Sequence, residues 1–280
     1  MNQVLACLDT SPYAQSVADH AAWAAKRLGS SVELLHVIQR DDAVSERHDL
    51  SGSMGLGAKS SLLEELVQID EAHSRIARER GKLLLEAARE QLVNAGVADI
   101  LTTHRHGGVV ETVIEREADA DLVVIGKRGV SSQFAAEHLG SRVERVARES
   151  TRPVLVASRA FTKPERAMIA FDGGDSARKA VEFVRDSQLL EGVKLDLVMA
   201  GRQDANRGQQ MAWAQEQLPN ATAHLLDAST DEAIPAFVTE HSIGLLVMGA
   251  YGHSPLRRFI VGSTTTTMMR RCLIPVLLFR

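Results

Sequence analysis

The end of the chain carries an arrangement of residues suited to holding a phosphate. Gly249, Gly252 and Gly262 precede two hydroxyl side chains, Ser263 and Thr264. Glycines let a backbone approach an anion closely, and the start of a helix presents unpaired N–H groups to a phosphate. The hydroxyl groups would add further hydrogen-bond donors. This spacing predicts a phosphate-binding loop that leads directly into a helix.

An earlier segment has a similar arrangement. Gly126 and Gly129 are followed by Gly140 and Ser141. Ten residues separate Gly129 from Gly140, whereas nine separate the equivalent glycines of the later segment. This extra residue makes phosphate binding a weaker prediction for the earlier segment than for the later one.

A carboxylate follows an apolar run at two positions, Asp9 and Asp172. Such a carboxylate can accept a hydrogen bond from a ribose hydroxyl or from the amino group of a base. In an open α/β sheet, ligands bind outside the carboxyl ends of the strands, where an aspartate loop and a glycine loop can meet. The two features together are suited to a nucleotide. Glycines also end strands, and hydroxyl residues also cap helices, where no ligand binds.

The elements that must position these residues occur twice. Residues 4–38 resemble residues 167–201 at an offset of 163, and residues 140–156 resemble residues 262–278 at an offset of 122. The difference between the two offsets is 41, so the first repeat is longer by about that many residues. The additional residues fall in the middle of the first repeat.

Apolar runs of strand length alternate with amphipathic helical patterns in both repeats. In the first repeat, strands are predicted at residues 4–8, 32–38, 100–104, 122–125 and 154–157. Ser11 and Pro12 are typical of a helix start, as N-cap and first helical residue. This order predicts two tandem α/β domains, residues 1–160 and 165–280, each with a doubly wound parallel sheet.

The additional residues of the first repeat predict a long helix over residues 60–94, interrupted by Gly81. Apolar positions recur in it at three- and four-residue spacings, which is typical of a stripe packed against a sheet. The stripe consists of Leu62, Leu63, Leu66, Ile69, His73 and Ile76.

Composition excludes several classes of protein. The 280 residues are 45 % hydrophobic and 24 % charged with a net charge of −4, and they lack the basic block typical of nucleic-acid binding. No apolar run approaches the ~18 residues of a membrane span, and the first residues do not resemble a signal peptide. Cys7 and Cys272 stand alone, outside any metal-ligand spacing. We therefore predict a cytoplasmic protein without a metal site.

In these residues and motifs, the chain resembles two fused copies of a universal stress protein of the UspA family. The phosphate motif of that family, G-x2-G-x9-G-[ST], is complete from Gly249 to Ser263. The resemblance implies a Rossmann-like fold of the adenine nucleotide alpha hydrolase type, with strand order 3-2-1-4-5 in each half. It also implies that the two fifth strands, residues 154–157 and 276–279, pair as in the family's dimers and form an internal pseudo-dimer.

The resemblance further implies an ATP site, with or without Mg²⁺, and mainly in the second half, where the phosphate motif is complete. The second-half residues are Asp172, Gly173, Ala200, Met248, Gly249, Gly252, His253, Gly262, Ser263 and Thr264. The weaker first-half set is Asp9, Thr10, Val37, Gly126, Gly129, Gly140 and Ser141. The family's adenine contacts include a valine that ends strand two. Val37 matches it, whereas the second half has Ala200.

Three functions stay open at this point. The first is a stress-response regulator that binds ATP without dedicated catalytic machinery, together with a protein partner or a second copy of the chain. The second is a scaffold that binds another small ligand or a protein. The third is a slow ATPase. The sequence lacks the GxxxxGK[ST] motif of P-loop NTPases, and His104 with His106 lacks a third metal ligand.

Overall fold

The structure is a computed structural model that describes residues 2–39, 56–129, 140–201, 205–250 and 263–280. Its strands are β1 Gln3–Leu8, β2 Ser31–Ile38, β3 Ile100–His106, β4 Leu122–Gly126, β5 Val154–Ala157, β6 Arg166–Ala170, β7 Lys194–Ala200, β8 Thr222–Leu226, β9 Leu245–Gly249 and β10 Val276–Phe279. Its helices are α1 Ala14–Leu28, α2 Leu56–Asn94, α3 Val109–Arg116, α4 Ser141–Glu149, α5 Asp175–Asp186, α6 Ala205–Gln217, α7 Thr230–Glu240 and α8 Ser263–Arg271. Among the described residues, no helix is both long and apolar enough to cross a membrane.

The ten strands form one sheet in the order β3-β2-β1-β4-β5-β10-β9-β6-β7-β8. Each half therefore has the predicted order 3-2-1-4-5, and the predicted doubly wound α/β class is confirmed. Strands within a half run parallel. The two fifth strands meet in the middle and run antiparallel, with Leu155 opposite Leu277.

The central strands are apolar on both faces because helices cover both sides of the sheet. Along β1, Val4 and Ala6 belong to the core on one face, whereas Leu5 belongs to the core on the other. Both cores continue from the first half into the second, since Ile169 joins the former and Met168 the latter. The sheet and its two cores thus hold the carboxyl ends of the strands in fixed relative positions.

Helix α1 begins later than the sequence predicts. It starts at Ala14, with Tyr13 as its N-cap, rather than at Ser11 and Pro12. The Ser11 hydroxyl accepts the N–H of Tyr13 at 3.3 Å, and the Ser11 N–H donates to Asp9 Oδ1 at 3.0 Å. Ser11 therefore closes a local turn that precedes the helix.

Helix α2 differs from its prediction in two respects. It runs through Gly81 without a break, over 39 residues. Gly81 instead permits a close approach to the sheet, because a Cβ there would lie 2.6 Å from His104 Nε2. The predicted packing stripe is wrong for Ile69, His73 and Ile76, which are exposed. From residue 67 to residue 80 the described side chains are exposed or half-buried on every side, because this segment does not lie on the sheet.

Candidate functional site

A cavity of about 440 Å³ lies at the carboxyl ends of β1, β2 and β4 in the first half. The chain leaves β1 toward β2 on one side and reaches β4 on the other, so the cavity occupies the switch point of the strand order. The structure brings all seven residues of the weaker first-half prediction to its walls: Asp9, Thr10, Val37, Gly126, Gly129, Gly140 and Ser141.

Asp9 connects the aspartate loop with the glycine loop. Its Oδ1 atom accepts the Ser11 N–H, which fixes the carboxylate in a turn. A Cβ atom placed on Gly129 would lie 2.9 Å from Asp9 Oδ2. The two loops therefore touch, and any side chain at position 129 would displace the carboxylate.

The N-terminus of α4 opens at the same cavity. Gly140 is its N-cap, in an extended conformation (φ −63°, ψ 128°) and without a side-chain cap. The N–H of Gly140 lies 3.5 Å from the carbonyl of Lys127, which ties the helix start to the loop after β4. The first turn of a helix has N–H groups without intrahelical acceptors and carries a partial positive charge. Together these features are suited to an anion.

Three arginines at the cavity were not predicted from the sequence: Arg80, Arg128 and Arg142. Arg142 projects from the first turn of α4 and donates through Nη2 to Gln39 Oε1. Guanidinium groups bind phosphates through paired hydrogen bonds, so this set favours a polyanionic ligand. Arg128 precedes Gly129 and Arg142 follows Ser141, so both adjoin predicted site residues, which was a usable signal. Arg80 arrives on the long helix α2, and no local pattern indicates its position.

Two of the predicted glycines also have a packing role. A Cβ atom on Gly126 would lie 2.8 Å from Tyr13 Cβ, and one on Gly249 would lie 2.8 Å from the backbone nitrogen of Ala177. In both halves, the end of the fourth strand therefore approaches the first helix too closely for a side chain. These glycines are needed for the fold whether or not a ligand binds.

In the second half, the aspartate loop and the glycine strand are again neighbours. Asp172 follows β6 and is exposed, and its Oδ1 accepts the Gly174 N–H at 2.9 Å. Gly249 ends β9, which pairs with β6. Met248, one residue earlier, is buried in the core beneath. This half repeats the Asp9 turn, with the carboxylate held in the same local way.

Helix α6 lies across this second crevice. Arg207 donates through Nη2 to the carbonyl of Ala200, and its side chain packs against Gly201. Gln210 packs against Gly173, where a Cβ atom would lie 2.3 Å from Gln210 Cδ. Gly173 has a φ of 77°, a left-handed conformation that a side chain would strain. Side chains of α6 thus cover Gly173 and Ala200, which the sequence predicts to contact the adenosine part of a nucleotide.

The phosphate end of the second half is described only in part. Gly252, His253 and Gly262 lie outside the described residues. Ser263 is the first residue of α8, and Thr264 follows it, half-buried. The predictions for these residues, and for the second half as the main site, stay predictions.

Comparison with known proteins agrees with this architecture. The model of the universal stress protein family matches residues 1–158 and 198–280. The chain belongs to the universal stress protein family. It is 34 % identical over 287 aligned positions to universal stress protein Slr1230 from a Synechocystis strain, with 100 % of both chains covered. A universal stress protein from Archaeoglobus fulgidus superposes with a TM-score of 0.71 at 18 % identity, covering 99 % of this chain and 95 % of that one.

This universal stress protein also carries contacts between its two glycine-loop helices. The Lys127 amine, buried in the loop after β4, donates to the carbonyl of Cys272, directly after α8. Burial is the main cause that lowers the pKa of Lys127 to about 8; Cys272 opposes this shift, and the nearby Arg128 adds to it. Thr266 of α8 donates to Glu144 of α4 at 3.1 Å. The helices that follow the two glycine loops therefore touch each other.

Proposed function

We propose that this universal stress protein is a stress-response regulator that binds ATP at the carboxyl ends of its strands. The observation that carries the proposal is the convergence of Asp9, the start of α4 and three arginines on one cavity in the first half. The cavity volume of about 440 Å³ lies in the range of roughly 300–1,000 Å³ that is usual for small-molecule sites.

Each wall of the cavity has a distinct role in this proposal. Asp9 would accept hydrogen bonds from the ribose hydroxyls, and the apolar side chain of Val37 would lie against the adenine ring. The backbone of Gly129 and the first turn of α4 would hold the phosphates. Arg128 and Arg142 would balance their negative charge, and a Mg²⁺ ion would arrive bound to the phosphates.

The second half is proposed as a further ATP site on the strength of its complete glycine motif. There, Asp172 would take the place of Asp9, and the segment from Gly249 to Thr264 would hold the phosphates. Arg207 and Gln210 would have to contact the nucleotide or move aside, because they cover Ala200 and Gly173. From sequence this is the main site, whereas the described geometry supports the first half.

Calorimetric titration of the nucleotide-stripped protein with Mg-ATP tests the proposal. We expect Gly129→Val to abolish the first site, because a side chain there meets Asp9, and Gly262→Val to abolish the second. Gly208→Ala is the matched control, because a Cβ atom at Gly208 meets nothing within 4 Å. Absence of heat in the wild-type protein, and of competition by any adenine nucleotide, would refute nucleotide binding.

One observation favours a different role for the second half. The contacts of Arg207 and Gln210 fill space that an adenosine would need, as in a module that binds a protein or another small ligand instead. If one ATP binds per chain, Gly129→Val should abolish this binding and Gly262→Val should not affect it. That result would support an ATP site in the first half and a different role for the second half. Phosphate release above background that disappears in Gly262→Val would instead support a slow ATPase.

A further inference from the structure

Helix α2 carries a straight line of exposed apolar side chains. Ile69, Ile76 and Leu83 are spaced seven residues apart, and they are 45 %, 45 % and 63 % exposed. At 1.5 Å per residue, the line extends over about 21 Å. Single exposed apolar residues are normal on a protein surface, whereas a larger set on one face marks an interaction site.

The line lies on the face of α2 that points away from the domain. The core contacts of α2 are made by Leu85 and Leu92, which are buried. Leu85 lies nine positions after Ile76, and Leu92 lies nine positions after Leu83. Nine residues amount to about two and a half helical turns, so the two sets lie on opposite sides of the helix.

The seven-residue spacing matches one of the two apolar positions in each heptad of a coiled coil. An apolar residue repeated every seven positions keeps facing a partner helix if the two helices wind around each other. Position 62, seven residues before Ile69, is also a leucine in the sequence. The pattern thus extends over three heptads, which is about the length needed for a coiled coil.

The charges along α2 indicate the orientation of a partner helix. Four acidic residues lie between positions 64 and 71, and four basic residues lie between positions 75 and 82, with Glu79 as the exception. Two copies of α2 in parallel would place acids against acids and bases against bases. Two antiparallel copies would place each acidic segment against the basic segment of the other, which is favourable.

We propose that α2 pairs antiparallel with α2 of a second copy of this chain. With the two-fold axis between Ala72 and His73, Ile69 packs against the partner's Ile76, and Ile76 packs against the partner's Ile69. The fifth strands are not available for such an association, because β5 and β10 already pair with each other inside the chain. The proposal does not depend on nucleotide binding.

The mass of the full-length protein in solution, measured by light scattering after size exclusion, tests the interface. The wild-type protein is expected at about twice 30.4 kDa. Ile76→Glu is expected to halve the mass while its circular dichroism matches the wild type, because Ile76 is exposed in one copy and its fold does not depend on this side chain. Val67→Glu is the matched control. Val67 is 55 % exposed on the same segment but on another side of the helix, so this variant should stay dimeric.

Cysteine cross-linking tests the orientation. A mixture of Ile69→Cys and Ile76→Cys proteins should form a disulfide-linked pair faster than either variant alone, measured against the wild-type chain with its own Cys7. In a parallel pair each variant would cross-link with itself, which would overturn the antiparallel arrangement. A wild-type mass of 30.4 kDa at the highest attainable concentration would overturn the interface itself. A dimer that persists in Ile76→Glu would also overturn the proposed interface.

Discussion

The two halves have the same strand order and the same aspartate turn, yet their crevices differ. In the first half, α2 is separated from β2 by residues 39–55, and among its described side chains those of Ala77 and Arg80 line the rim of the cavity. In the second half, α6 begins five residues after the end of β7, and its first turns cover the crevice. Among the described residues, a helix therefore covers the crevice in the second half and not in the first.

A second difference between the halves concerns a buried carboxylate at equivalent positions of the second strand. Glu33 is fully buried and makes a two-point ion pair with Arg116 of α3, at 3.0 and 2.8 Å. Asp196 makes a similar pair with Arg166, which belongs to β6, and it also contacts His224 at 2.9 Å. Burial acts to raise the pKa of Asp196, but the hydrogen bonds from Arg166 and His224 outweigh it, and the pKa is lowered.

The largest change in unfolding free energy is expected from replacing Arg116 and Arg166, the arginines that pair with the two buried carboxylates. Arg116→Met leaves Glu33 buried without a partner, and we expect it to cost about 3 kcal/mol of unfolding free energy in urea denaturation. Arg166→Met should cost less, because His224 remains beside Asp196. Arg145→Met is the control, since its pair with Glu111 is exposed and its loss should be barely measurable. Equal losses for Arg116→Met and Arg166→Met would contradict this account.

A smaller effect is expected at Lys127, which the second half replaces with Ala250. The pKa of Lys127 is lowered from 10.5 to about 8 by burial, so between these values the unfolded chain binds more protons than the native protein. Stability should therefore rise with pH in that window, by on the order of 2–3 kcal/mol from this group alone.

Urea denaturation of Lys127→Met between pH 8 and 10 provides the measurement. The gain in stability with pH that the wild type shows should be largely lost in the variant. Lys163→Met is a suitable control, because Lys163 is exposed in the segment between the halves. Parallel pH profiles for the wild type and Lys127→Met would show that Lys127 is solvated in the native protein.

A third prediction compares the two crevices by their arginines. Arg142→Gln should weaken ATP binding to the first site about tenfold, the equivalent of ~1.4 kcal/mol for one lost charge-assisted contact. Arg207→Gln should strengthen the second site, because it removes a side chain that lies across Ala200. Calorimetry of each variant, with the other site blocked by Gly262→Val or Gly129→Val, separates the two effects. Weaker binding in Arg207→Gln would mean that Arg207 holds the nucleotide.

The smallest effect is expected from the histidines of the two outer strands. His224 contacts a carboxylate, whereas His104 Nε2 is buried without a hydrogen-bond partner in the described part of the chain. Burial lowers the pKa of His104, and the neighbouring His36 and His106 lower it further. The native protein then binds fewer protons than the unfolded chain below about pH 6.5, and stability falls as the pH drops through that value.

His104→Gln should therefore lose less melting temperature than the wild type between pH 7.5 and pH 5.5. Lys163→Met is the control, because Lys163 is exposed in the segment between the halves and should leave the profile unchanged. An unchanged profile in His104→Gln would assign the acid sensitivity to another group, such as His20, whose pKa burial also lowers.

The resemblance to the universal stress proteins predicted the strand order and the pairing of Val154–Ala157 with Val276–Phe279. The repeated aspartate and glycine loops predicted residues that meet at the first cavity. Strands and loops of this kind are visible in local apolar runs and in repeated glycines. The sequence did not predict where α2 leaves the sheet, because helical spacing indicates an apolar face but not what covers it. For the same reason it could not place Arg80, and it did not foresee that Arg207 and Gln210 cover Ala200 and Gly173.

The antiparallel contact of β5 with β10 has a consequence for how the halves can differ. Two separate subunits that meet by these strands would come apart on dilution, and every substitution would appear in both. Here the contact is intramolecular, so its effective concentration is fixed by the linker and does not depend on the amount of protein. One half can therefore lengthen a helix or fill a crevice without imposing the same change on the other. Because both halves belong to one chain, their sequences and crevices can differ while the contact between them is kept.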